Sequence, residues 1–237
     1  MLKKKLCLFI FLLAVGEESV SFEVNPYFGA DQQVNRTRFK HGYGENMFPK
    51  HHARLNIYSG LKFDECIALE AGYLSTISKS RFVTLNAGDS SLGSIIVPGL
   101  EPAVFKSYIK FKGYHLSVVN TFSMPEWDHF RVLGGAGVIF LKANAERDCI
   151  SVSRPPISGN VREFEKKMPI LRVMVSPEYR FKNMLGIRGS FCFLNTSAMK
   201  ITAKHKEAGP ISRASTVNPT IRLKDSFVYS LGLFYEF

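Results

Sequence analysis

Three groups of residues have the types and spacing for chemistry. In His115-Leu116-Ser117 an imidazole and a hydroxyl stand two residues apart, which puts them on one face of a strand as a general base beside a nucleophile. His41, His51 and His52 lie in or beside one predicted loop, but no carboxylates at matching spacing accompany them. They are expected to be solvated, and no metal site is assigned. The third group is a set of charges of both signs, Arg54, Glu70, Arg172, Glu178, Arg188 and Glu236, each on the polar side of an otherwise apolar alternating segment. Enclosed together, such charges can only pair with one another, so the chemistry they predict is an internal network of ion pairs and hydrogen bonds. No Gly-rich phosphate loop, His-Glu-x-x-His or Gly-x-Ser-x-Gly occurs, and no cofactor is expected.

The elements that must position these residues follow a period of two, not the 3.6 of a helix. Ala53, Leu55, Ile57, Leu61 and Phe63 alternate with His52, Arg54, Asn56, Tyr58 and Lys62; Ile67, Leu69, Ala71 and Tyr73 then alternate with Ala68, Glu70 and Gly72. Only Asp64-Glu65-Cys66 separates the two runs, which predicts a tight hairpin. The same signature returns at 171–181 and 184–193 around Lys182-Asn183, predicting a second hairpin with a two-residue turn. Tyr108 to Asn120 and Arg131 to Lys142 form a third pair. There the apolar parity shifts from Ile109 and Phe111 to Tyr114, Leu116 and Val118, which predicts a bulge at Gly113. Gly134, Gly135 and Gly137 on the partner strand are expected to relieve crowding inside a narrow barrel. An opening strand from Phe22 to Gln33 and a closing one ending at Phe237 bring the count to eight.

Composition limits where these strands can be. The 237 residues carry 31 basic and 20 acidic side chains, a net charge of +11, and 46% hydrophobic residues. That is a folding chain with an affinity for anionic partners. No run of 18 apolar residues occurs, so a helical span is excluded. Lys3, Lys4 and Lys5, the apolar run Leu6 to Val15 and the small residues Ser19-Val20-Ser21 predict a secretory signal over residues 1–21, with cleavage after Ser21 or after Gly16. Export argues against nucleic acid as a partner. The three cysteines beyond the signal, Cys66, Cys149 and Cys192, allow one bridge at most and signal neither a disulfide framework nor zinc.

Connections of about three, six and two residues at one end face long stretches near 34–51, 75–103, 143–167 and 195–220 at the other, the asymmetry of outer-membrane barrels. The expected fold is therefore all-β: an eight-stranded antiparallel transmembrane barrel over residues 22–237, with short periplasmic turns and four long extracellular loops. Its polar face, with the charges named above, turns inward, and an interior of this size is filled by side chains and is not a channel. Phe63, Tyr73, Tyr179, Phe181, Tyr235 and Phe237 sit near strand ends, where outward rings would form an interfacial girdle. The competing arrangement turns the apolar face inward, as in a soluble sandwich or lipocalin-like barrel. Against it stands the last strand, where Phe227, Tyr229, Leu231, Leu233, Tyr235 and Phe237 share one face that runs to the final residue.

The segments Asn25-Pro26-Tyr27-Phe28-Gly29-Ala30-Asp31, Tyr58-Ser59-Gly60-Leu61-Lys62-Phe63 with Glu70-Ala71-Gly72-Tyr73, and Leu231-Gly232-Leu233-Phe234-Tyr235-Glu236-Phe237 resemble the OmpA/OmpX-like family of eight-stranded outer-membrane barrels. The likeness extends in layout over nearly the whole mature chain, without the peptidoglycan-binding domain of longer members. It implies a monomeric integral outer-membrane protein of a Gram-negative bacterium, without a cofactor, acting as surface antigen, adhesin or envelope element. It also implies that the terminal strand is the signal read by the barrel assembly machinery. Partners follow: outer-membrane lipids and lipopolysaccharide around the barrel, and acidic host glycans or host proteins at loops rich in Arg36, Arg38, Lys40, Lys50, Lys166, Lys167, Lys200, Lys204, Lys206 and Arg213. Two alternatives stand beside this non-enzymatic role. One is a narrow polar path for solutes. The other is lipid A modification, since His115-Leu116-Ser117 matches the His-x-Ser pair of a barrel deacylase class, although its flanking residues do not.

Overall fold

A computed structural model describes residues 24–41, 43–63, 66–77, 79–85, 103–123, 129–150, 162–181, 184–204 and 220–237. The predicted signal at residues 1–21 lies outside them. In chain order the elements are β1 (Val24–Arg36), α1 (Tyr43–Met47), β2 (His51–Phe63), β3 (Ile67–Ile77), β4 (Ser80–Leu85), β5 (Ala103–Ser123), β6 (Phe130–Ile150), β7 (Arg162–Arg180), β8 (Leu185–Leu194), β9 (Lys200–Lys204), β10 (Thr220–Arg222) and β11 (Ser226–Glu236). All strand pairs are antiparallel. Eight strands run β8, β7, β6, β5, β3, β2, β1, β11, and β11 pairs back onto β8, so this ring of strands closes on itself. Pro26, which cannot donate to a ladder, sits at the start of the closing pair, where its carbonyl accepts from Phe237 N–H at 3.0 Å.

The strands of the three hairpins fall where alternation places them. β7 ends at Arg180 and β8 begins at Leu185, with Phe181 N–H donating to Leu185 O at 2.8 Å, while Lys182-Asn183, expected as the two-residue turn, lie outside the described residues. Met184, just before β8, has φ 64°, in the left-handed region.

Outward positions along the lower strands are apolar: Phe28 and Val34 on β1, Leu55, Ile57 and Leu61 on β2, Leu116 and Val118 on β5, Leu171, Val173 and Val175 on β7, Leu231 and Leu233 on β11. Inward positions there are polar, including Asp31, Asn56, Glu70, His115, Arg172, Glu178 and Arg188, all buried. A wall apolar outside and polar inside is stable only when hydrocarbon surrounds it, so the lower barrel crosses a membrane. Aromatic rings mark both borders of the band. At the short-turn end Tyr235 lies 5.0 Å from Phe237 and Tyr179 5.4 Å from Phe181; at the loop end Phe191 lies 5.3 Å from Phe227.

The predicted bulge at Gly113 is absent. β5 pairs β6 without a skipped residue from Val104 opposite Ile150 to Ser123 opposite Arg131. What changes at Gly113 is the chemistry of each face, not its direction. Below it, His115, Ser117 and Val119 point inward and Tyr114, Leu116 and Val118 outward; above it, Phe111, Ile109 and Phe105 point inward and Lys112, Lys110 and Lys106 outward. β6 and β7 invert at the same level, with Leu141, Ala143, Ala145 and Phe164 inside and Lys142, Glu146, Glu163 and Glu165 outside. The parity shift marks where the wall leaves hydrocarbon and becomes an ordinary water-facing sheet around an apolar core.

Much of the sequence expected as long loops is therefore strand. β5 and β6 have 21 residues each, which is about 70 Å of strand at about 3.4 Å per residue, or about 50 Å along the axis at a tilt near 45°. An apolar band is about 25 Å tall, so about half of the tube stands beyond it. β4, β9 and β10 extend the wall at this end, and Phe39 bridges Leu223 to join the β1 extension to it. α1 folds inward as a plug: Met47 and Phe48 are fully buried, Phe48 packs edge-on against Phe164 at 5.9 Å, and Arg81 donates to Glu45 O and Phe48 O, each at 3.3 Å.

Candidate functional site

The barrel interior holds a continuous chain of polar contacts. Arg188 on β8 is its centre, with Nε donating to Glu178 Oε1 and Nη1 to Glu70 Oε2, both at 2.5 Å. The rings of Tyr58, Tyr27 and Phe234 enclose this guanidinium at 4.4, 5.4 and 5.8 Å. Toward the short turns, Arg131 donates to Glu178 at 2.6 Å and to Glu236 at 2.7 Å, and Glu236 also accepts from Arg180 and, at 3.4 Å, from Lys62. Toward the loops, Arg172 lies 3.7 Å from Glu70 and donates to His115 Nδ1 at 2.9 Å. His115 Nε2 then donates to Asn56 Oδ1 at 3.0 Å, and Asn56 Nδ2 to Asp31 Oδ2 at 3.1 Å.

Of the six charges singled out in the sequence, Glu70, Arg172, Glu178, Arg188 and Glu236 are thus brought together and Arg54 is not. Arg54 points inward and is fully buried, but its guanidinium lies 5.0 Å over the Phe111 ring, and Nε and Nη1 have no hydrogen-bond partner among the described residues. The sequence reading missed Arg131, Arg180, Lys62, Asp31, Asn56 and the two tyrosines. Strand parity was the available signal: Lys62 and Asn56 alternate in phase with Arg54, and Arg131 is cross-strand to Glu178 once the β6–β7 register is known.

A second device lets the strands come together at this level. Four inward glycines are each covered by a ring from the neighbouring strand: Gly60 by Tyr27, Gly29 by Tyr58, Gly72 by His115 and Gly186 by Phe234. In every case the two residues are register partners, so the ring occupies the space that a Cβ would fill. Of the three glycines expected to relieve crowding, Gly137 does so most, since a Cβ there would overlap the Leu116 carbonyl oxygen.

His115 and Ser117 share a face as spacing requires, but the face is the interior. Both are buried, and His115 already spends both ring nitrogens on Arg172 and Asn56. Lipid outside the wall has no contact with the pair. The three histidines 41, 51 and 52 diverge: His41 is exposed beside Glu45 at 3.3 Å, His51 is exposed, and His52 is buried against Pro49 O at 2.9 Å. Cys66 is exposed and Cys192 buried, both as free thiols.

Outside the wall, the inversion level carries a row of cations. Lys112 on β5, Lys142 on β6 and Lys167 on β7 are register partners side by side, directly above Tyr114, Phe140 and Pro169. Lys142 pairs with Glu165 at 3.3 Å. Lys112, Lys142 and Glu165, with Tyr108, Lys110, Glu146 and Glu163, line an open groove of about 240 Å³. Arg36, Arg38 and Lys40 are exposed where the β1 segment leaves the apolar band.

No protein-family model matches the chain, and no characterised protein matches it in sequence. Among solved structures, a major outer membrane protein from Thermus thermophilus superposes with a TM-score of 0.54 at 12% identity, over 90% of this chain and 99% of that one. This is the fold of an outer-membrane β-barrel. Neisserial surface protein A gives a TM-score of 0.48 at 12% identity, over 91% of this chain and 99% of its own. The N-terminal barrel domain of Pseudomonas aeruginosa OprF gives 0.40 at 10% identity, over 91% and 100%. In outer-membrane barrels lipid-facing and interior residues alternate along each strand, and β11 follows that rule with Phe227, Tyr229, Leu231, Leu233, Tyr235 and Phe237 on its lipid-facing side.

Proposed function

We propose that the protein is a non-enzymatic surface protein of a Gram-negative outer membrane, exported by the signal at residues 1–21. Its barrel is an anchor, and its projecting tube and loops make contacts outside the cell, in an adhesin-like or envelope role. The observation that carries this reading is the filled interior: charges paired across the lower barrel, an apolar plug from Met47 and Phe48 above, and between them a cavity of only about 10 Å³. Neither a solute path nor an interior catalytic site fits such a section. Purified protein in planar bilayers is expected to give no conductance, and stable single channels would replace this reading with the narrow pore.

The row Lys112, Lys142, Lys167 supports lipopolysaccharide as the surrounding lipid of the outer leaflet. Like charges directly opposite one another destabilise a sheet, and a phosphate spanning the row offsets that repulsion. Vesicles containing lipopolysaccharide are expected to bind the protein more tightly at low salt than at high salt, because exposed charges are screened. Affinity independent of ionic strength would refute the phosphate contact. Recognition of β11 by the barrel assembly machinery is the accompanying proposal. Deleting Phe237 should lower the amount assembled in cells and leave refolding into detergent unchanged.

A further inference from the structure

Arg54 is a permanent cation in a place where nothing from the described residues answers it. Arginine keeps its proton at any physiological pH, so burial cannot neutralise it as it can lysine or histidine. Its Nε and Nη1 lack partners, and no carboxylate among the described residues stands within ion-pair distance. Its register partners on the two neighbouring strands are Gln33 and Thr76, both uncharged. Phe111 closes the side toward the apolar plug.

On the other side lies the cavity of about 10 Å³, lined by Gln33, Arg54, Asn56, His115 and Arg172 together with apolar side chains, and by no carboxylate. Two arginines therefore line one small space. Along the spanning interior, the described cations Arg54, Lys62, Arg131, Arg172, Arg180 and Arg188 outnumber the carboxylates Asp31, Glu70, Glu178 and Glu236. Glu70, Glu178 and Glu236 pair with cations other than Arg54, and Asp31 is held by Asn56 with its Oδ1 unpartnered among the described residues, so no carboxylate pairs with Arg54 itself.

We propose that this cavity is a buried monoatomic anion site, occupied by chloride as the counter-ion of Arg54. Size selects the class. A space of about 10 Å³ is about the least that holds one water, which excludes phosphate, sulfate and carboxylates and admits a monoatomic ion only with a small outward shift of the lining side chains. Charge selects between the remaining candidates: a water can accept a hydrogen bond from Nη1, but only an anion offsets the cost of an unpaired buried guanidinium. Chloride accepts from several N–H donors at once, and it reaches the site during folding, before the plug of α1 closes above Phe111.

Bromide in place of chloride tests the site directly. Crystals of the full barrel grown in bromide should show an anomalous peak within hydrogen-bond reach of Arg54 Nε or Nη1. In solution, protein refolded in chloride should have a higher urea midpoint than protein refolded in gluconate at the same ionic strength. Arg54→Met should abolish that difference. Should Arg54→Met fail to refold, the wild-type salt series and the bromide peak decide alone. Absence of the peak, or equal midpoints in chloride and gluconate, means that the cavity holds water only and overturns the proposal.

Discussion

Arg188→Met removes the guanidinium that joins two buried carboxylates while nearly conserving volume. In the wild type it donates to Glu178 and Glu70 at 2.5 Å each, inside a collar of Tyr27, Tyr58 and Phe234 that keeps water away. Removing one partner of a buried pair costs about 3–5 kcal/mol, because the other charge is stranded. Glu178 retains Arg131 at 2.6 Å, whereas Glu70 keeps the neutral Tyr27 hydroxyl at 3.3 Å and, as its nearest cation, Arg172 at 3.7 Å, so most of the penalty falls on Glu70. The lost cation–π attraction, about 0.5–2 kcal/mol, is largely replaced by sulfur–aromatic contacts of about 0.3–1.5 kcal/mol. The expected net loss is about 4 kcal/mol. Equilibrium urea unfolding of the refolded barrel, followed by far-ultraviolet circular dichroism, measures it. Adding Glu70→Gln removes the stranded charge and should recover about 2 kcal/mol. A single-variant loss below about 1 kcal/mol, the value of an exposed pair, would show that the network is hydrated and the reasoning wrong. So would a double variant no more stable than the single one.

Three further outcomes follow from named contacts. Gly60→Ala drives a Cβ into the Tyr27 ring and should destabilise by about 1–3 kcal/mol, with Tyr27→Leu in the same chain restoring part of it; an unfolding midpoint equal to wild type would contradict the close approach. Phe48→Ala empties the plug, costs about 3–5 kcal/mol locally, and should raise hydrogen exchange in the upper halves of β5 and β6 while the lower barrel keeps its heat-dependent gel shift; uniform loosening of both halves would argue against two separate cores. Tyr108, above the membrane, donates to the Glu146 carboxylate, and that bond pushes its hydroxyl pKa up to about 12. Because the neutral form is favoured in the folded state, this contribution is present below the unfolded value near 10 and is lost as pH rises through about 12. Tyrosinate absorbance should show one tyrosine titrating earlier in Glu146→Gln than in wild type, and identical curves would remove the bond.

Alternation made the barrel legible. Every strand of the lower ring has an apolar side that cannot face water, and the final strand from Phe227 to Phe237 cannot be placed inward with Glu236 on the opposite side. The six interior charges were legible for the same reason, since parity alone turns Arg54, Glu70, Arg172, Glu178, Arg188 and Glu236 inward, and five of them meet. Parity does not say how far along the axis a residue sits, however, and this accounts for the rest. Arg54 shares the phase of Lys62 but lies several residues higher, beside Phe111 and out of reach of the carboxylates. The change of phase at Gly113 has two physical causes, an inserted residue or a new solvent outside, and period alone does not separate them. Charge would have done so: the outward residues beyond Gly113 include Lys112, Lys110 and Lys106, which belong in water and not in a bulged lipid-facing strand.

That inversion also ties the protein to a particular bilayer thickness. Sliding the barrel inward by two residues would draw Lys112, Lys142 and Lys167 together below the headgroups, where each lysine costs up to about 2–4 kcal/mol toward the midplane. Sliding it outward would wet Tyr114, Phe140 and the apolar positions beneath them. Helical spans adjust to a thicker or thinner membrane by tilting. A closed tube stiffened by 21-residue strands and filled from end to end has little such freedom, so in a membrane of another thickness it is the lipid that must deform.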